Sequence, residues 1–266
     1  KNTQASPTVA CDGTHVFAAF NNHGQTQVAA LDFAGNVLWK KFIADYNTKY
    51  PFGSGASPLI HGDNVLVPNE AGDDCGIIGL DRKTGDETMR IERGNFSSYS
   101  TPVIAEVAGT TQLLTSGNEE VTGYDPDSGD QRWSVPAAWR VTCGTPVWAG
   151  DLVFASGGYP TPQTIAVDVA SKTKLWDANA KCYEQSMLAW DGRLYGLTDR
   201  GVVYCWDQRT GEELFKSRFA SPVSASPVLA GGHIYFTAEN GQTLVIKADS
   251  NRFEQVAVNQ LGNSTF

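Results

Sequence analysis

The sequence predicts an all-β fold, a β-propeller of four-stranded antiparallel blades, because two short motifs recur along its 266 residues. The first motif is an Asp that ends an apolar stretch, followed by a turn and then by a large apolar residue. Its copies lie 39 (207−168) to 49 (81−32) residues apart, the spacing of one four-stranded blade per repeat. The second motif is a Ser-Pro or Thr-Pro upstream of the Asp, with Ser186-Met187 in its place in the fifth copy. Both motifs therefore belong to one repeating unit.

Six repeats are visible, and they predict a single propeller domain over residues 1–266. The blades are expected at roughly residues 5–43, 56–93, 100–136, 144–178, 185–219 and 225–258. The tail, residues 261–266, resembles the start of another blade. Since an open ring would expose strand edges, we expect the six repeats to be part of a seven- or eight-bladed ring. A closed ring of six blades is the alternative.

Each repeat is read as four strands, A to D, which in the first copy cover residues 6–10, 15–20, 27–31 and 37–42. The Asp that ends strand C can accept N–H groups of the following turn, and the Gly can take the left-handed conformation of a tight hairpin. The large residue on strand D would pack on a neighbouring blade. These turn and docking residues are Asp32, Asp81, Asp125, Asp168, Asp207, Trp39, Trp133 and Trp176.

The prolines indicate which strand lies at the edge of each blade. Proline has no N–H to donate to a ladder and is therefore confined to sheet edges and strand starts. The inner strand of a propeller blade has a free edge towards the central channel. Strand A, which follows the Ser-Pro or Thr-Pro, is therefore predicted to be innermost.

Composition and charge exclude several classes of function. The formal net charge is −9 with a pI near 4.9, and no basic cluster stands out, so nucleic acid and anionic membrane surfaces are poor partners. No apolar run is long enough to span a membrane. No signal peptide is visible in this chain, yet it begins with Lys1 instead of Met. We therefore expect an exported bacterial protein, periplasmic or extracellular, whose signal lies upstream.

The five cysteines and four histidines give no metal or redox motif, because none stand at the spacing of a metal knuckle or a redox pair. Small buried hydrophobic residues are the interpretation we favour for the cysteines, with one or two disulfides as the alternative. The loop from Asn69 to Asp74 carries three carboxylates, which could bind a hard cation or simply be solvated; we favour the solvated loop. No nucleophile elbow or phosphate loop is present.

The repeated pattern Asp-x-x-Thr-Gly-x-x-x-Trp or a close variant, as in Trp206-Asp207-Gln208-Arg209-Thr210-Gly211 with Phe215, resembles the tryptophan-docking motif of the PQQ-like (quinoprotein-type) β-propeller repeat family. The resemblance covers essentially the whole chain. It departs at Ser171-Lys172, where Thr-Gly is expected, and in the sixth repeat, which lacks the Asp. The family includes quinoprotein dehydrogenases, which hold pyrroloquinoline quinone (PQQ) and calcium. It also includes non-catalytic propellers such as the lipoprotein of the outer-membrane assembly machinery.

The resemblance implies the non-catalytic branch for this chain. The quinoprotein dehydrogenases have two adjacent cysteines against the quinone, and no two cysteines are adjacent here. They also need a carboxylate base and calcium ligands, and the sequence offers no such set. We therefore expect no cofactor and no catalytic residues, with PQQ and calcium as the alternative.

The D–A and B–C loops of a propeller share one face at the mouth of the channel, and in this chain they carry aromatic residues and an Arg, the residue types of binding hot spots. The candidate partner-binding residues are Trp139, Arg140, Tyr183, Glu184, Tyr99 and Tyr159, with Trp139 and Arg140 foremost. The predicted function is a non-catalytic scaffold that binds a protein or carbohydrate partner on this face. The alternatives are a PQQ-dependent dehydrogenase domain and an accessory or sensor domain of a larger exported enzyme.

Overall fold

The computed structural model of the protein describes residues 6–48, 52–219, 222–249 and 251–262. Within these ranges the regular structure is entirely β, with 26 strands. The last four residues of the tail that resembles a further blade lie outside the described residues. Within the described part, no helix is long and apolar enough to cross a membrane.

The first three sheets are blades 1 to 3, each with four consecutive strands. Blade 1 comprises β1 (Ala10–Cys11), β2 (His15–Asn22), β3 (Gln25–Asp32) and β4 (Val37–Asp45). Blade 2 comprises β5 (Leu59–His61), β6 (Asn64–Asn69), β7 (Ala71–Asp81) and β8 (Glu87–Ser97). Blade 3 comprises β9 (Val103–Val107), β10 (Thr110–Gly117), β11 (Glu120–Tyr124) and β12 (Gln131–Pro136).

The last three sheets are blades 4 to 6, and two further short strands pair with each other beside blade 4. The short strands are β13 (Trp139–Val141) and β16 (Tyr159–Pro160). Blade 4 comprises β14 (Val147–Ala149), β15 (Leu152–Gly157), β17 (Gln163–Asp168) and β18 (Thr173–Ala178). Blade 5 comprises β19 (Leu188–Trp190), β20 (Arg193–Leu197), β21 (Val202–Asp207) and β22 (Glu213–Arg218). Blade 6 comprises β23 (Val228–Ala230), β24 (His233–Thr237), β25 (Gln242–Lys247) and β26 (Gln255–Gln260).

Every four-stranded sheet has the spatial order A-B-C-D with antiparallel neighbours, so the fold is the predicted propeller of four-stranded blades. Strand A is an edge strand in each blade. In blades 2, 3, 4 and 6 it begins directly after the proline of its motif, at Leu59, Val103, Val147 and Val228. In blade 1 the predicted strand over residues 6–10 is wrong, because the ladder with β2 begins only at Ala10.

The C and D strands of all six blades share one irregularity, a β-bulge at the end of strand C. A β-bulge lies one residue before the motif Asp, or before Lys247 in blade 6, for example between Gly79 and Leu80. The Asp81 carboxylate accepts N–H bonds from Lys83 (2.8 Å) and Thr84 (2.9 Å). The equivalent carboxylates of Asp32, Asp125, Asp168 and Asp207 also accept backbone N–H bonds from their own turns. The repeated Asp therefore closes the hairpin.

The large residue of strand D docks on the C–D turn of the next blade. Trp39 Nε1 donates to the Arg82 carbonyl at 3.0 Å, and Trp176 Nε1 donates to the Gln208 carbonyl at 2.9 Å. Gly211 lies against Trp176 at φ +72°, where a Cβ would come within 2.6 Å of the indole. Both the left-handed φ and the close approach therefore require glycine at this turn.

Trp133 departs from this pattern, and the C–D turn of the next blade, blade 4, is altered as well. That turn carries Lys172 at φ +58°, where the turns of blades 1, 2, 3 and 5 have glycine. Trp133 Nε1 donates instead to Gln112 Oε1 of its own blade at 2.7 Å. Trp133 is still buried, in the core between blades 3 and 4. The hydrogen bond of Trp133 thus differs from those of Trp39 and Trp176, whereas its burial between two blades is kept.

The Ser-Pro and Thr-Pro motifs link neighbouring blades at their inner edge. Ser57 N donates to Thr101 Oγ1 at 3.0 Å, joining blades 2 and 3. In the same way Thr145 N donates to Ser186 Oγ (3.0 Å), and Ser186 N donates to Ser226 Oγ (2.9 Å). A hydroxyl at this position therefore satisfies an edge N–H that has no strand beside it.

Among the described residues, five apolar clusters form the core, and each joins two consecutive blades. Phe17 of blade 1 packs with Val67 of blade 2, and Phe154 of blade 4 packs with Trp206 of blade 5. All of these side chains are fully or almost fully buried. The stability of each blade therefore depends on its neighbours, as in other repeat proteins.

The turn carboxylates predict acid sensitivity. Backbone hydrogen bonds from Ser128 and Asp127, together with Arg132, lower the pKa of Asp125 to about 2. Because this pKa lies below the unfolded value of about 3.9, the stabilisation is complete above pH ~4 and is lost as the pH falls towards 2. We expect the urea midpoint to fall between pH 5 and pH 3 by less in Asp125→Asn than in the wild type. Equal losses in the two proteins would contradict this assignment.

Candidate functional site

A two-stranded ribbon, β13 with β16, lies among the D–A and B–C loops. It pairs Trp139 with Pro160 and Val141 with Tyr159. The first strand follows blade 3, and the second lies within the B–C connection of blade 4. Strands of two or three residues have no hydrophobic period, so the sequence did not predict the ribbon.

Backbone hydrogen bonds fasten this ribbon to the neighbouring blades. In blade 3, the N–H of Asn118 donates to the Arg140 carbonyl, and the N–H of Glu119 donates to the Trp139 carbonyl, both at 2.8 Å. One residue beyond the ribbon, the Thr142 carbonyl accepts the N–H of Tyr99 at 2.9 Å. The segment that carries Arg140 is therefore anchored to the B–C turn of blade 3 and to the chain leaving blade 2.

Two adjoining cavities open beside the ribbon. The larger, of about 430 Å³, is lined by Asn47, Gly72, Asn95, Phe96, Ser97, Arg140, Val141, Tyr159 and Pro160. The smaller, of about 180 Å³, is lined by Phe52, Tyr99, Val141, Tyr159 and Tyr183. Since both contain Val141 and Tyr159, they form one continuous depression, which we call the loop-face groove.

Four of the six candidate partner-binding residues line this groove: Arg140, Tyr159, Tyr99 and Tyr183. Tyr159 is 52% exposed. The ring of Tyr99 meets that of Phe52 edge to face, with centroids 6.1 Å apart. The smaller cavity is therefore an aromatic cup whose walls come from several loops.

The charge of Arg140 is only weakly neutralised. Its Nε lies 4.0 Å from Glu119 Oε1, and both side chains are more than half exposed. An ion pair at this distance in water contributes little. The guanidinium therefore remains available to an acidic or carbonyl group placed in the groove.

Tyr183 is a half-buried wall of the cup. Burial raises the pKa of its phenol, and the neighbouring Cys143 raises it further. Lys181 Nζ lies 4.7 Å from the centre of the Tyr183 ring. The ring is thus held on one side by a cation, with the phenol protonated at neutral pH.

The prediction that Trp139 contacts a partner is wrong. Its side chain is fully buried and belongs to the core between blades 3 and 4. Gly157 allows this packing, since a Cβ there would come within 2.4 Å of Trp139 Cγ. Within the ribbon Trp139 points into the core while Arg140 points to solvent, as strand alternation requires.

Glu184 is exposed, but it lines neither cavity of the loop-face groove. Its proximity to Cys143 helps to raise the pKa of that thiol, an effect due mainly to burial. The structure thus keeps Glu184 near the groove without placing it in the lining.

The acidic loop after Asn69 is not wholly solvated, so that expectation is corrected for Glu70. Asp73 and Asp74 are exposed, but Glu70 is buried and forms an ion pair with the equally buried Arg93 of β8. The Arg93 guanidinium lies 5.1 Å from the ring of Phe96, which lines the groove. The pair therefore supports the groove from beneath.

The cysteines and carboxylates do not match the set that the quinoprotein dehydrogenases of the family use to hold quinone and calcium. All five cysteines are free, and no two are adjacent in sequence. Among the described residues, no three His, Cys, Asp or Glu side chains come together closely enough to hold a metal ion.

Residues 2–191 and 185–252 match the family model of the outer membrane protein assembly factor BamB. The chain belongs to this family. The crystal structure of BamB from Moraxella catarrhalis is similar, with a TM-score of 0.74 and 18% identity over 96% of this chain and 76% of that chain. No curated protein is significantly similar in sequence.

The fold of this BamB-family chain is also similar to that of a europium-containing methanol dehydrogenase. The TM-score is 0.71, with 13% identity over 99% of this chain and 72% of that chain. A likeness at such low identity shows the fold alone. Since 1327 chains of solved structures match, the propeller by itself does not select a function.

Proposed function

We propose that this BamB-family propeller is a non-catalytic scaffold of the bacterial envelope, which holds a protein partner in the loop-face groove. The observation that carries the proposal is the convergence of Arg140, Tyr159, Tyr99 and Tyr183, from separate loops, on one continuous depression. Aromatic and Arg side chains around a small desolvated pocket are the usual composition of a protein-binding hot spot.

The two parts of the groove suit two parts of a partner segment. The aromatic cup can bury an apolar side chain. The larger cavity, with Asn47, Asn95 and Ser97 in its lining, offers polar groups to main-chain N–H and C=O groups. An extended polypeptide presents both kinds of group at once, which is why we favour a protein over a carbohydrate.

A site-specific photocrosslinker at position 159 tests the proposal in bacterial cells. The control carries the same crosslinker at position 190, because Trp190 is also an exposed aromatic (47%) but lies at an A–B turn, on the opposite face. We expect position 159, and not 190, to crosslink a defined protein.

The affinity of that protein for purified variants provides the quantitative test. Arg140→Ala and Tyr159→Ala should each weaken binding by about tenfold or more, as expected for hot-spot side chains, while Trp190→Ala should leave it unchanged. The proposal fails if the two groove variants bind as tightly as the wild type, or if both crosslinker positions capture the same proteins.

A further inference from the structure

A second cavity, of about 490 Å³, lies between blades 4 and 5 and shares no lining residue with the loop-face groove. We call it the blade 4/5 cavity. Its walls include Lys181 from the chain leaving blade 4, Arg200 from the B–C turn of blade 5, and Arg218 from β22. Tyr204 of β21 also lines it.

The register of blade 5 explains why its cations collect here. Val202 pairs with Arg218, and Tyr204 pairs with Lys216, across the β21–β22 ladder. Since side chains two residues apart on a strand share a face, Arg218 and Lys216 lie on the same side of the sheet as Tyr204. Lys216 Nζ lies 4.7 Å from the centre of the Tyr204 ring, which stacks on Trp206.

The arginines of this cavity differ from the other arginines of the protein in their ion pairing. Eight of the ten arginines have a guanidinium nitrogen within 4.0 Å of a carboxylate oxygen. Within the described part of the chain, the two without such a partner are Arg200 and Arg218, and both line this cavity. They are also adjacent, since Arg218 Nη1 donates to the Arg200 carbonyl at 3.3 Å.

The single carboxylate in the lining does not neutralise them. Asp199 pairs with Lys181 at 3.0 Å, and its other oxygen accepts the N–H of Tyr183. The cavity thus has three cations and one carboxylate in its lining, in a protein whose net charge is −9. Two exposed arginines thus line one cavity, and among the described residues neither guanidinium group has a carboxylate within 4.0 Å.

We propose that the blade 4/5 cavity binds a dianionic phosphate group, with Arg200 and Arg218 as its main ligands. Guanidinium groups bind phosphate oxygens through paired, charge-assisted N–H bonds. Two guanidinium groups match the double negative charge of a phosphate monoester better than the single negative charge of a carboxylate. Free phosphate and the phosphomonoester headgroup of a lipid share this chemistry.

Calorimetric titration with inorganic phosphate, and cosedimentation with vesicles of phosphatidylcholine with or without phosphatidic acid, test the site and separate the two sources. We expect the double variant R200Q/R218Q to bind the phosphate group at least about tenfold more weakly, because two charge-assisted contacts are lost. R209Q is the matched control, since Arg209 is also an exposed arginine of blade 5 but is paired with Asp151.

Binding of inorganic phosphate alone supports free phosphate as the ligand, and binding of phosphatidic acid vesicles as well supports the headgroup. Circular dichroism checks that the double variant keeps its fold. The inference is overturned if wild-type protein binds neither probe, if R200Q/R218Q binds as tightly as the wild type, or if R209Q loses as much. Crosslinking from position 159 should be unchanged in R200Q/R218Q, so this test is independent of the proposed scaffold function.

Discussion

Arg93→Met is expected to destabilise the protein by about 3–5 kcal/mol, because it leaves the Glu70 carboxylate buried without its cation. Both side chains of the pair are essentially inaccessible to solvent. Burial lowers the pKa of Arg93, while Tyr124 acts in the opposite direction. Arg93 is thus a cation in an environment that disfavours charge, and its partner carboxylate is equally dependent on the pair.

The double variant Glu70→Met/Arg93→Met should recover most of that loss. Replacing both members of a buried ion pair by apolar residues is often neutral, since the cost of desolvating the charges disappears together with their attraction. Urea unfolding of the wild type, the two single variants and the double variant gives the coupling free energy directly. Single-variant losses that simply add in the double variant would show that the two side chains do not act as a pair.

The same variants also affect the groove. The Arg93 guanidinium lies against the Phe96 ring, and the Asn118 side chain donates to the Arg93 carbonyl at 3.2 Å. The backbone N–H of the same Asn118 donates to the carbonyl of Arg140. We therefore expect Arg93→Met to weaken partner binding as well, although Arg93 itself cannot reach a partner.

The repeated elements could be predicted from sequence because their physical chemistry is local. The Asp81 carboxylate accepts the N–H groups of Lys83 and Thr84, two and three residues further on. Gly85 must take a positive φ (+73°) within the same hairpin. Trp39 docks one repeat further on, at a position that the period itself predicts. Residues that form short-range hydrogen bonds, and the regular spacing of their repeats, can be recognised in a single sequence.

The site was predicted less well because its residues meet across blades. Arg140 and Tyr159 were found as loop residues of suitable type, but nothing in the sequence showed that Trp139 points inwards while its neighbour points out. Glu70 looked like part of a solvated acidic loop, since its partner Arg93 lies on another strand.

Asn47 and Asn95 were missed because an amide in a loop has no spacing signal. Arg200 and Arg218 were missed because no local pattern distinguishes them from the paired arginines.

Trp139→Ala is the second change with a large expected effect, a loss of about 3–5 kcal/mol from the cavity it would leave in the core between blades 3 and 4. Trp139 is among the largest fully buried side chains of the protein. It packs with residues of both blades, and Gly157 leaves room for its indole. The loss is measured by urea or thermal unfolding.

Trp139→Phe separates the role of packing from that of the polar group. Among the described residues Trp139 Nε1 has no hydrogen-bond partner, although it is buried. Removing this N–H therefore loses no bond and relieves an unfavourable burial, so Trp139→Phe should cost clearly less than Trp139→Ala. A Phe variant as unstable as the Ala variant would show that the indole N–H has a partner in solution.

The two Trp139 variants also decide how this residue serves the groove. If Trp139 only supports the ribbon from below, Trp139→Phe should keep the wild-type affinity for the partner while Arg140→Ala loses it. Trp139→Ala should lose affinity only to the extent that it loosens the ribbon, which would appear as faster amide exchange at Arg140 and Val141. A Phe variant that folds with wild-type stability but loses affinity as Arg140→Ala does would return Trp139 to the contact surface. The buried position of its side chain argues against that result, because a partner would first have to pull the indole out of the core.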